Sequence, residues 1–402
     1  MFCISACAPL FLPPKLSDVT QSRAMRYGVV MVSASAITEI VYMKRIDSLD
    51  WQRGLLALSI MVYHLFSWQV ASLDSSTLLG RLGIYGVSMF FILSGLSMAV
   101  VYNAYIVDIQ SSLNFFVRRI FRIWPLLWLT IFCAVLYKFV SGQPSDWLLV
   151  ASNLTTLFGF FQPSAYISTG AWSIGNEMVY YALTPLIIYV YNRKLLLGNL
   201  LTAATWLVGL LFSSYILNSD RTLVQQWATY VNPFNNLYFY SAGIAIFYNM
   251  RQLALGKTAS VCLLVLPALL FFAFPVVGDP INIVTGTTRV VFSLASLLMV
   301  IGFYKMALSV PGMIARPLTQ LGVLTYGVYL LHPIVYRVQF EILKHLGITI
   351  NSFFFIVAAI FLTIIAAQIA FTVLEMPFIR LGKSLTTTRK SEKPVASAAV
   401  QK

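Results

Sequence analysis

The chain has 402 residues, of which 59% are hydrophobic and only 10% are charged, and its mean hydropathy is +0.81. This composition excludes a water-soluble domain and indicates an all-α integral membrane protein. The formal net charge is +14, but the basic residues are spread along the chain and form no single patch with aromatic partners, which argues against a nucleic-acid partner. The four cysteines lack the spacing of metal ligands, so no metal site is predicted.

The first 45 residues differ from the rest of the chain, because their short apolar stretches are interrupted by charged residues. Met43 lies just before the first clear apolar run and would make a natural start codon. Residues 1–45 are therefore either a real N-terminal extension or signal, or the product of a mis-annotated start. Residues 384–402 have the composition of a disordered cytoplasmic tail, so the membrane domain is expected over residues 46–383.

Ten apolar runs are long enough to cross a bilayer, and we therefore expect about ten transmembrane helices. With the N-terminus in the cytoplasm, 21 of the 27 Lys and Arg residues fall on the cytoplasmic side. The positive-inside rule then predicts that both termini are cytoplasmic. The runs cover approximately residues 54–72, 82–104, 120–140, 171–191, 195–217, 234–250, 258–277, 288–307, 321–340 and 350–374.

The first run carries Arg53 and His64 on one helical face, since eleven steps of 100° and 1.5 Å return to within about 20° of the start, roughly 16 Å along the axis. If Arg53 marks the cytoplasmic edge of an apolar core about 30 Å thick, His64 lies near its midplane. An ionisable group there is costly and usually functional. His64 is therefore the strongest catalytic candidate.

The second run contains Gly83, Gly86, Ser94 and Gly95, small residues that allow neighbouring helices to approach closely. Ser94 either serves this packing or belongs to a polar site within the membrane. The sequence alone leaves both interpretations open.

Arg119 and Arg122 open the third run and lie three residues apart, which places them on one side of a helix. They are either a simple cytoplasmic stop signal or an anion site, because guanidinium groups suit bidentate contact with phosphate. Glu375 ends the tenth run at the same predicted boundary and is placed to pair with one of these arginines.

The fourth run opens with Trp172 and Ser173 and carries Glu177 about a turn and a half below its outer end. Trp172 alone could serve as an interfacial anchor. A carboxylate at the depth of Glu177 requires either a polar cavity with a function or a structural ion pair.

The ninth run places Thr325, Tyr329 and His332 on one face, with His332 eleven residues from the inner boundary, as His64 is. A single histidine on an apolar face is often a satisfied core residue. Two histidines at matched depth favour a shared site instead. His345 is expected in a solvated outer loop.

Together these residues resemble the acyltransferase type 3 family of membrane proteins, which O-acylate cell-surface and nodulation-signal carbohydrates. The resemblance covers approximately residues 46–383. It departs from the family at Ser88, where an acidic residue is common. The matching motifs are Arg53 with His64, residues 86–95 (GVSMFFILSG), Arg119 with Arg122 and Pro125, Trp172-Ser173-Ile174 with Glu177, Tyr326 with residues 329–333 (YLLHP), and Glu375 with Pro377.

The resemblance implies an enzyme of the plasma (inner) membrane, surrounded by lipid, that transfers an acyl group from cytoplasmic acyl-CoA to a carbohydrate hydroxyl. Acetyl-CoA is the usual donor, and the acceptor is a cell-surface or exported glycan, lipid-linked precursors included. His64 would act as general base, or would itself be acylated transiently.

The resemblance also implies roles for the other candidates. Glu177 would orient the acceptor or stabilise an imidazolium, and His332 with Tyr329 would donate hydrogen bonds to the developing oxyanion. Arg119 and Arg122 would bind the donor, and Arg53 would either bind donor phosphate or pair with a carboxylate. Ser94, Trp172 and Tyr329 would bind the acceptor.

A proton-coupled transporter of a polar solute is the competing interpretation, because buried His, Glu and Arg residues also describe proton relays. The halves of the chain show no clear inverted repeat, and a proton relay does not require an arginine pair at the inner face. Transfer of label from acetyl-CoA to a glycan would distinguish the enzyme from a carrier.

Overall fold

The computed structural model describes residues 46–387, and this part of the chain is helical with connecting loops. Two π-helical turns cover Phe212–Ile216 and Phe371–Glu375, and one 3₁₀ turn covers Val224–Gln226. The helices are α1 (Asp47–Gln69), α2 (Leu78–Tyr102), α3 (Ile109–Val140), α4 (Trp147–Leu154), α5 (Phe158–Phe161), α6 (Ala171–Arg193), α7 (Leu195–Leu211), α8 (Trp227–Tyr230), α9 (Pro233–Met250), α10 (Lys257–Ala273), α11 (Ile281–Val284), α12 (Gly286–Tyr304), α13 (Gly312–Val323), α14 (Thr325–His345), α15 (Ser352–Ala370) and α16 (Met376–Thr386).

Nine of the ten predicted apolar runs each overlap one long helix, although several boundaries differ, and the ninth run falls on the two helices α13 and α14. By length and composition, five helical segments within residues 46–387 could cross a membrane, or six if the bent pair α13 and α14 is counted as one span. The described helices therefore support a multi-pass architecture, while the number ten and the cytoplasmic termini stay predictions. The five segments are Leu78–Tyr102, Ile109–Val140, Leu195–Ile216, Gly286–Tyr304 and Ser352–Thr386.

Helix α3 begins well before the third apolar run. Asp108 caps it, because its carboxylate accepts a hydrogen bond of 2.7 Å from the Ser111 amide while the Ser111 hydroxyl accepts one of 3.0 Å from the Asp108 amide. The prediction that Arg119 and Arg122 open this helix is therefore wrong. Both arginines lie several turns inside it, where their side chains face neighbouring helices.

The ninth predicted span is also not continuous, since α13 and α14 meet at Leu324 with a bend of 69°. Gly322 at the end of α13 touches α1, and a Cβ there would lie 2.2 Å from the Asp50 carbonyl oxygen. The Thr325 hydroxyl donates a hydrogen bond of 2.9 Å to the Gly322 carbonyl and so satisfies a group freed by the bend.

Helix α2 lies at the centre of the bundle and packs against α1, α9 and α12. It crosses α9 with the backbones in contact: a Cβ on Gly95 would lie 2.0 Å from the Tyr240 carbonyl oxygen, and one on Gly243 would lie 2.0 Å from the Ile92 carbonyl oxygen. The close approach that the sequence predicted for the small residues of α2 is thereby confirmed at Gly95.

Two buried arginines hold helix ends by donating to backbone carbonyls. Arg81, 2% exposed, donates to the carbonyls of Ser75 at 2.7 Å, Phe271 at 2.9 Å and Phe274 at 2.7 Å, and so caps the end of α10. Arg289, 3% exposed, donates to carbonyls on α9 and α11. Both guanidinium groups therefore serve the fold.

The predicted tail boundary at residue 384 is too early, because α16 continues to Thr386. This helix packs against α3, where Gly382 meets the Phe121 side chain and Arg118 donates a hydrogen bond of 2.7 Å to the Thr386 hydroxyl. The contact with α3 keeps the last turn helical despite its polar composition. The N-terminal extension (1–45) and the rest of the tail lie outside the described residues.

Candidate active site

Helices α1 and α14 bring His64 and His332 into direct contact. The Nδ1 atom of His64 lies 3.0 Å from Nε2 of His332, and the two ring planes differ by 10°. The ring centres are 5.1 Å apart, which exceeds the nitrogen separation by about two ring radii. The imidazoles therefore meet edge to edge, with the hydrogen bond in their common plane. We call these two residues the histidine pair.

The second ring nitrogen of His332 is also engaged. Its Nδ1 lies 3.0 Å from the carbonyl oxygen of Val328, one turn earlier on α14. His332 is only 2% exposed, whereas His64 is half-buried. Of the two rings, His64 is therefore the one within reach of a substrate.

Trp68 covers the histidine pair and was missed in the sequence analysis. Its ring is nearly parallel to both imidazoles, with centre distances of 5.1 Å to His64 and 5.9 Å to His332. Tyr336 packs against Trp68 from α14 and donates a hydrogen bond of 3.3 Å to its carbonyl. The position of Trp68, one helical turn after His64, was the signal that could have revealed it.

Glu177 on α6 lies in a second polar group, which we call the Glu177 cluster and which consists of Ser94, Glu177 and Tyr181. The hydroxyls of Ser94 and Tyr181 each donate a hydrogen bond of 2.5 Å to the same carboxylate oxygen of Glu177. The sequence predicted Ser94 and Glu177 as site residues, and the fold brings them together. Tyr181 was missed, although it lies one turn after Glu177.

Arg119 lies beside the Glu177 cluster, and Glu177 is among the groups that interact with it electrostatically. Its Nη2 donates a hydrogen bond of 3.0 Å to the Tyr102 hydroxyl, and its guanidinium lies 5.4 Å from the centre of the Tyr102 ring. Its buried Nε has no hydrogen-bond partner within residues 46–387. Arg119 thus retains a free donor.

Arg122 forms an ion pair with Glu375, with 2.8 Å between Nη1 and Oε2. Glu375 is 1% exposed, and Tyr326 lies beside the pair with its ring centre 5.9 Å from the Arg122 guanidinium. The sequence placed Glu375 to pair with one of the two arginines, and the structure identifies that partner as Arg122. The charge of Arg122 is therefore already compensated.

Arg53 also has partners within the bundle. Its Nη1 lies 2.9 Å from the Asp50 carboxylate, one turn earlier on α1, and its Nη2 donates to the Ser97 hydroxyl of α2. Ser97 lies one turn beyond Ser94 on the same helix. Arg53 thus pairs with a carboxylate, one of the two possibilities left open by the sequence.

Trp172 and Tyr329 both lie near the start of α6. Trp172 is buried in an aromatic cluster, with its ring centre 5.7 Å from those of Trp227 and Tyr230. The Tyr329 hydroxyl lies 2.9 Å from the Ser173 hydroxyl and donates a hydrogen bond of 3.1 Å to the Gly170 carbonyl.

The four predicted residues His64, His332, Ser94 and Glu177 thus divide between the histidine pair and the Glu177 cluster, and the other predicted site residues belong to neither. Within residues 46–387, no hydrogen bond or ion pair joins Glu177 to either histidine. The Tyr329 ring lies between these regions, with its centre 6.2 Å from that of His332. Chemically, the arrangement offers one accessible imidazole, one hydrogen-bonded carboxylate and one arginine with a free donor, all among membrane-type helices.

This combination defines a polytopic membrane protein with polar groups suited to proton transfer. The family model described as an acyltransferase domain matches residues 46–372, which is well over half of the chain. The chain therefore belongs to the acyltransferase type 3 family, as its motifs predicted.

Three relatives illustrate the range of similar proteins. YrhL of Bacillus subtilis (strain 168), named provisionally as a peptidoglycan O-acetyltransferase, is 25% identical over 84% of this chain and 55% of its own length. The peptidoglycan O-acetyltransferase OatA of Listeria monocytogenes is 24% identical over 84% of this chain and 56% of its own length. ORF330 of Acidianus two-tailed virus, named provisionally as an acetyltransferase, is 26% identical over 70% of this chain and 80% of its own length.

The chain thus spans about half the length of YrhL and of OatA. No solved structure is significantly similar to it.

Proposed function

We propose that this protein is a membrane-bound O-acetyltransferase that moves an acetyl group from cytoplasmic acetyl-CoA, or a related acyl-CoA, to a hydroxyl of a carbohydrate. The observation that carries the proposal is the histidine pair, because it presents one half-buried imidazole whose partner ring is itself held by the backbone. Family membership and the relatives named as O-acetyltransferases support the same chemistry.

In the proposed reaction, His64 acts as the general base. It takes the proton of the acceptor hydroxyl while the hydroxyl oxygen forms a bond to the thioester carbonyl carbon. The carbon–sulfur bond then breaks, and coenzyme A leaves as the thiol with the proton returned from His64. The hydroxyl donors around Glu177 orient this carboxylate, so that it can accept hydrogen bonds from acceptor hydroxyls.

The donor phosphates are proposed to bind at the cytoplasmic side through Arg119, with Arg122 and Arg53 contributing positive potential. Arg119 is the strongest candidate of the three for phosphate contact, because its Nε has no hydrogen-bond partner within residues 46–387. Arg122 and Arg53 each already contact a carboxylate, so direct phosphate contact by either would require an exchange of partners.

The proposed acceptor is a carbohydrate of the cell envelope, since the name of OatA identifies peptidoglycan as the polymer on which that relative acts. Lipid-linked precursors are acceptors of the same chemistry. Ser94, Trp172 and Tyr329 are the proposed acceptor contacts. The proposal includes about ten spans, cytoplasmic termini and a location in the plasma membrane.

The function is tested by the masses of envelope glycans from a deletion strain that carries the wild-type gene, His64→Ala or His345→Ala. The exposed His345 provides the matched control. We expect acetylated glycan with the wild type and the control, and none with His64→Ala inserted at normal levels. Acetylation that persists with His64→Ala would overturn the mechanism. Proton-driven movement of an unmodified solute, without any acetylation, would favour a transporter.

A further inference from the structure

The hydrogen bonds of the histidine pair determine where its protons lie. The Val328 carbonyl oxygen can only accept, so the His332 Nδ1 that lies 3.0 Å from it must carry a proton. A neutral imidazole carries one proton, and therefore Nε2 of His332 is an acceptor.

The same reasoning extends to His64. Since Nε2 of His332 accepts, the His64 Nδ1 that lies 3.0 Å from it must donate. With both rings neutral, the Nε2 of His64 is left with a lone pair and no proton. This is the form in which His64 can take a proton from a substrate, and its free nitrogen points away from His332.

We propose that His332 is a positioning residue that holds His64 in the tautomer protonated on Nδ1, and so directs the basic Nε2 toward the acceptor hydroxyl. The inference rests on the proposed function, since it assigns to His332 the task of orienting the base. It replaces the expected role of His332 as an oxyanion donor, because both of its ring nitrogens are already engaged by protein groups.

The surroundings reinforce this arrangement. His332 is 2% exposed and bonds within its own helix, so its ring has little freedom to turn. Trp68 lies parallel to both rings and covers the pair. The nearly parallel ring planes and the 3.0 Å separation of the facing nitrogens are compatible with a hydrogen bond between the ring edges.

His332 continues to act once the proton has moved. When His64 Nε2 has taken the hydroxyl proton, the imidazolium still donates from Nδ1 to His332. That bond is then charge-assisted, and such bonds are roughly twice as strong as neutral ones. The pair thus follows the general arrangement in which a base is oriented by a third group.

The proton positions can be measured directly, because the chain contains only three histidines. We would label histidine with ¹⁵N in the full-length protein in lipid nanodiscs and assign the imidazole signals with His345→Ala and His64→Ala. We expect wild-type His64 to be protonated on Nδ1. In His332→Gln the glutamine carbonyl can replace the acceptor, so His64 should keep that tautomer. In His332→Ala it should shift toward the Nε2-protonated form.

A wild-type His64 protonated on Nε2, or one whose tautomer is unaffected by His332→Ala, would overturn the inference. This outcome is independent of activity, so it is distinguishable from failure of the proposed function. Stability against heat in detergent identifies any variant that fails to fold. If His332→Ala misfolds, His332→Phe takes its place in the comparison with His332→Gln, because phenylalanine keeps the ring volume but offers no hydrogen-bond acceptor.

Kinetics provide the second measurement. His332→Ala should lower kcat by about 10²- to 10⁴-fold, the range for loss of a general base, with little change in KM for acetyl-CoA. His332→Gln should retain more of kcat than His332→Ala does. Equal kcat values in the two variants would contradict the role of His332 as hydrogen-bond acceptor.

Discussion

At the scale of single residues, the half-buried carboxylate of Glu177 and the buried carboxylate of Glu375 are stabilised in different ways. Glu375 pairs with Arg122 at 2.8 Å, whereas Glu177 accepts two hydroxyl hydrogen bonds of 2.5 Å from Ser94 and Tyr181. Glu375 is only 1% exposed beside its charged partner, whereas Glu177 is half-buried and is therefore more open to a ligand. Glu177 is thus better suited to bind substrate, and Glu375 to hold the bundle together.

Arg119 and its neighbour Arg118 provide a matched test of donor binding. Arg119→Ala should weaken acetyl-CoA binding by about 1.5–3 kcal/mol, the value of a hydrogen bond to a charged group, or on the order of 10- to 100-fold in Kd. Arg118 lies on the same turn but bonds to Thr386, so Arg118→Ala should leave Kd nearly unchanged. Calorimetric titration of purified protein in nanodiscs measures both. If both variants lost the same affinity for acetyl-CoA, the two arginines would act only through their general positive potential and not through a specific contact of Arg119.

The Arg122 and Glu375 pair allows a stability prediction. Arg122→Met should destabilise the protein by about 3–5 kcal/mol, because it leaves a buried carboxylate without its partner. The double variant Arg122→Met with Glu375→Met should recover most of this loss, since apolar residues can replace a buried pair at little cost. Unfolding midpoints in detergent provide the comparison. If the double variant lost as much stability as the two single variants lose together, the ion pair would make no specific contribution to the stability of the protein.

At the scale of helices, the position of the histidine pair depends on close backbone contacts elsewhere. Helix α1 carries His64 and touches α13 through Gly54 and Gly322, just before the bend that redirects α14. His332 lies two turns beyond that bend. The bend therefore helps to set the side of α14 that faces α1, and the apolar pattern of the ninth run did not predict it.

The crossing of α2 and α9 can be tested with a pair of glycine substitutions. Gly95→Ala should strongly destabilise the protein, because its Cβ would lie 2.0 Å from the Tyr240 carbonyl oxygen and the two helices would have to separate. Gly256→Ala is the control, since a Cβ there meets nothing within 4 Å. Size-exclusion profiles and thermal unfolding in detergent measure both variants. A well-folded Gly95→Ala would contradict the tight crossing.

At the scale of the whole molecule, the main prediction is topological. Reporter fusions at Ser141, which follows α3, and after Lys383 should report opposite sides of the membrane, because 21 of the 27 basic residues then lie inside. Alkaline phosphatase and green fluorescent protein fusions give complementary signals. If both sites were on one side, the ten-span arrangement would be wrong.

The sequence by itself determined the class of the protein, the approximate position of most long helices and the family. These properties follow from local pattern: apolar length defines a helix in a membrane, and short motifs in a fixed order define the family. It also identified His64, His332 and Glu177 as ionisable residues that are costly to place within a membrane, and Arg119 as one of two arginines suited either to an anion site or to a cytoplasmic stop signal.

The tertiary structure decided which of these residues meet. Helical periodicity fixes the face on which a side chain lies but not the helix that this face contacts, so the 3.0 Å contact of His64 with His332 could not be predicted. For the same reason, the sequence could not predict that Arg122 pairs with Glu375. It also could not predict that Glu177 binds hydroxyls and not a histidine. Contacts such as that of Gly95 with α9 set how closely helices approach, and this packing determined the site.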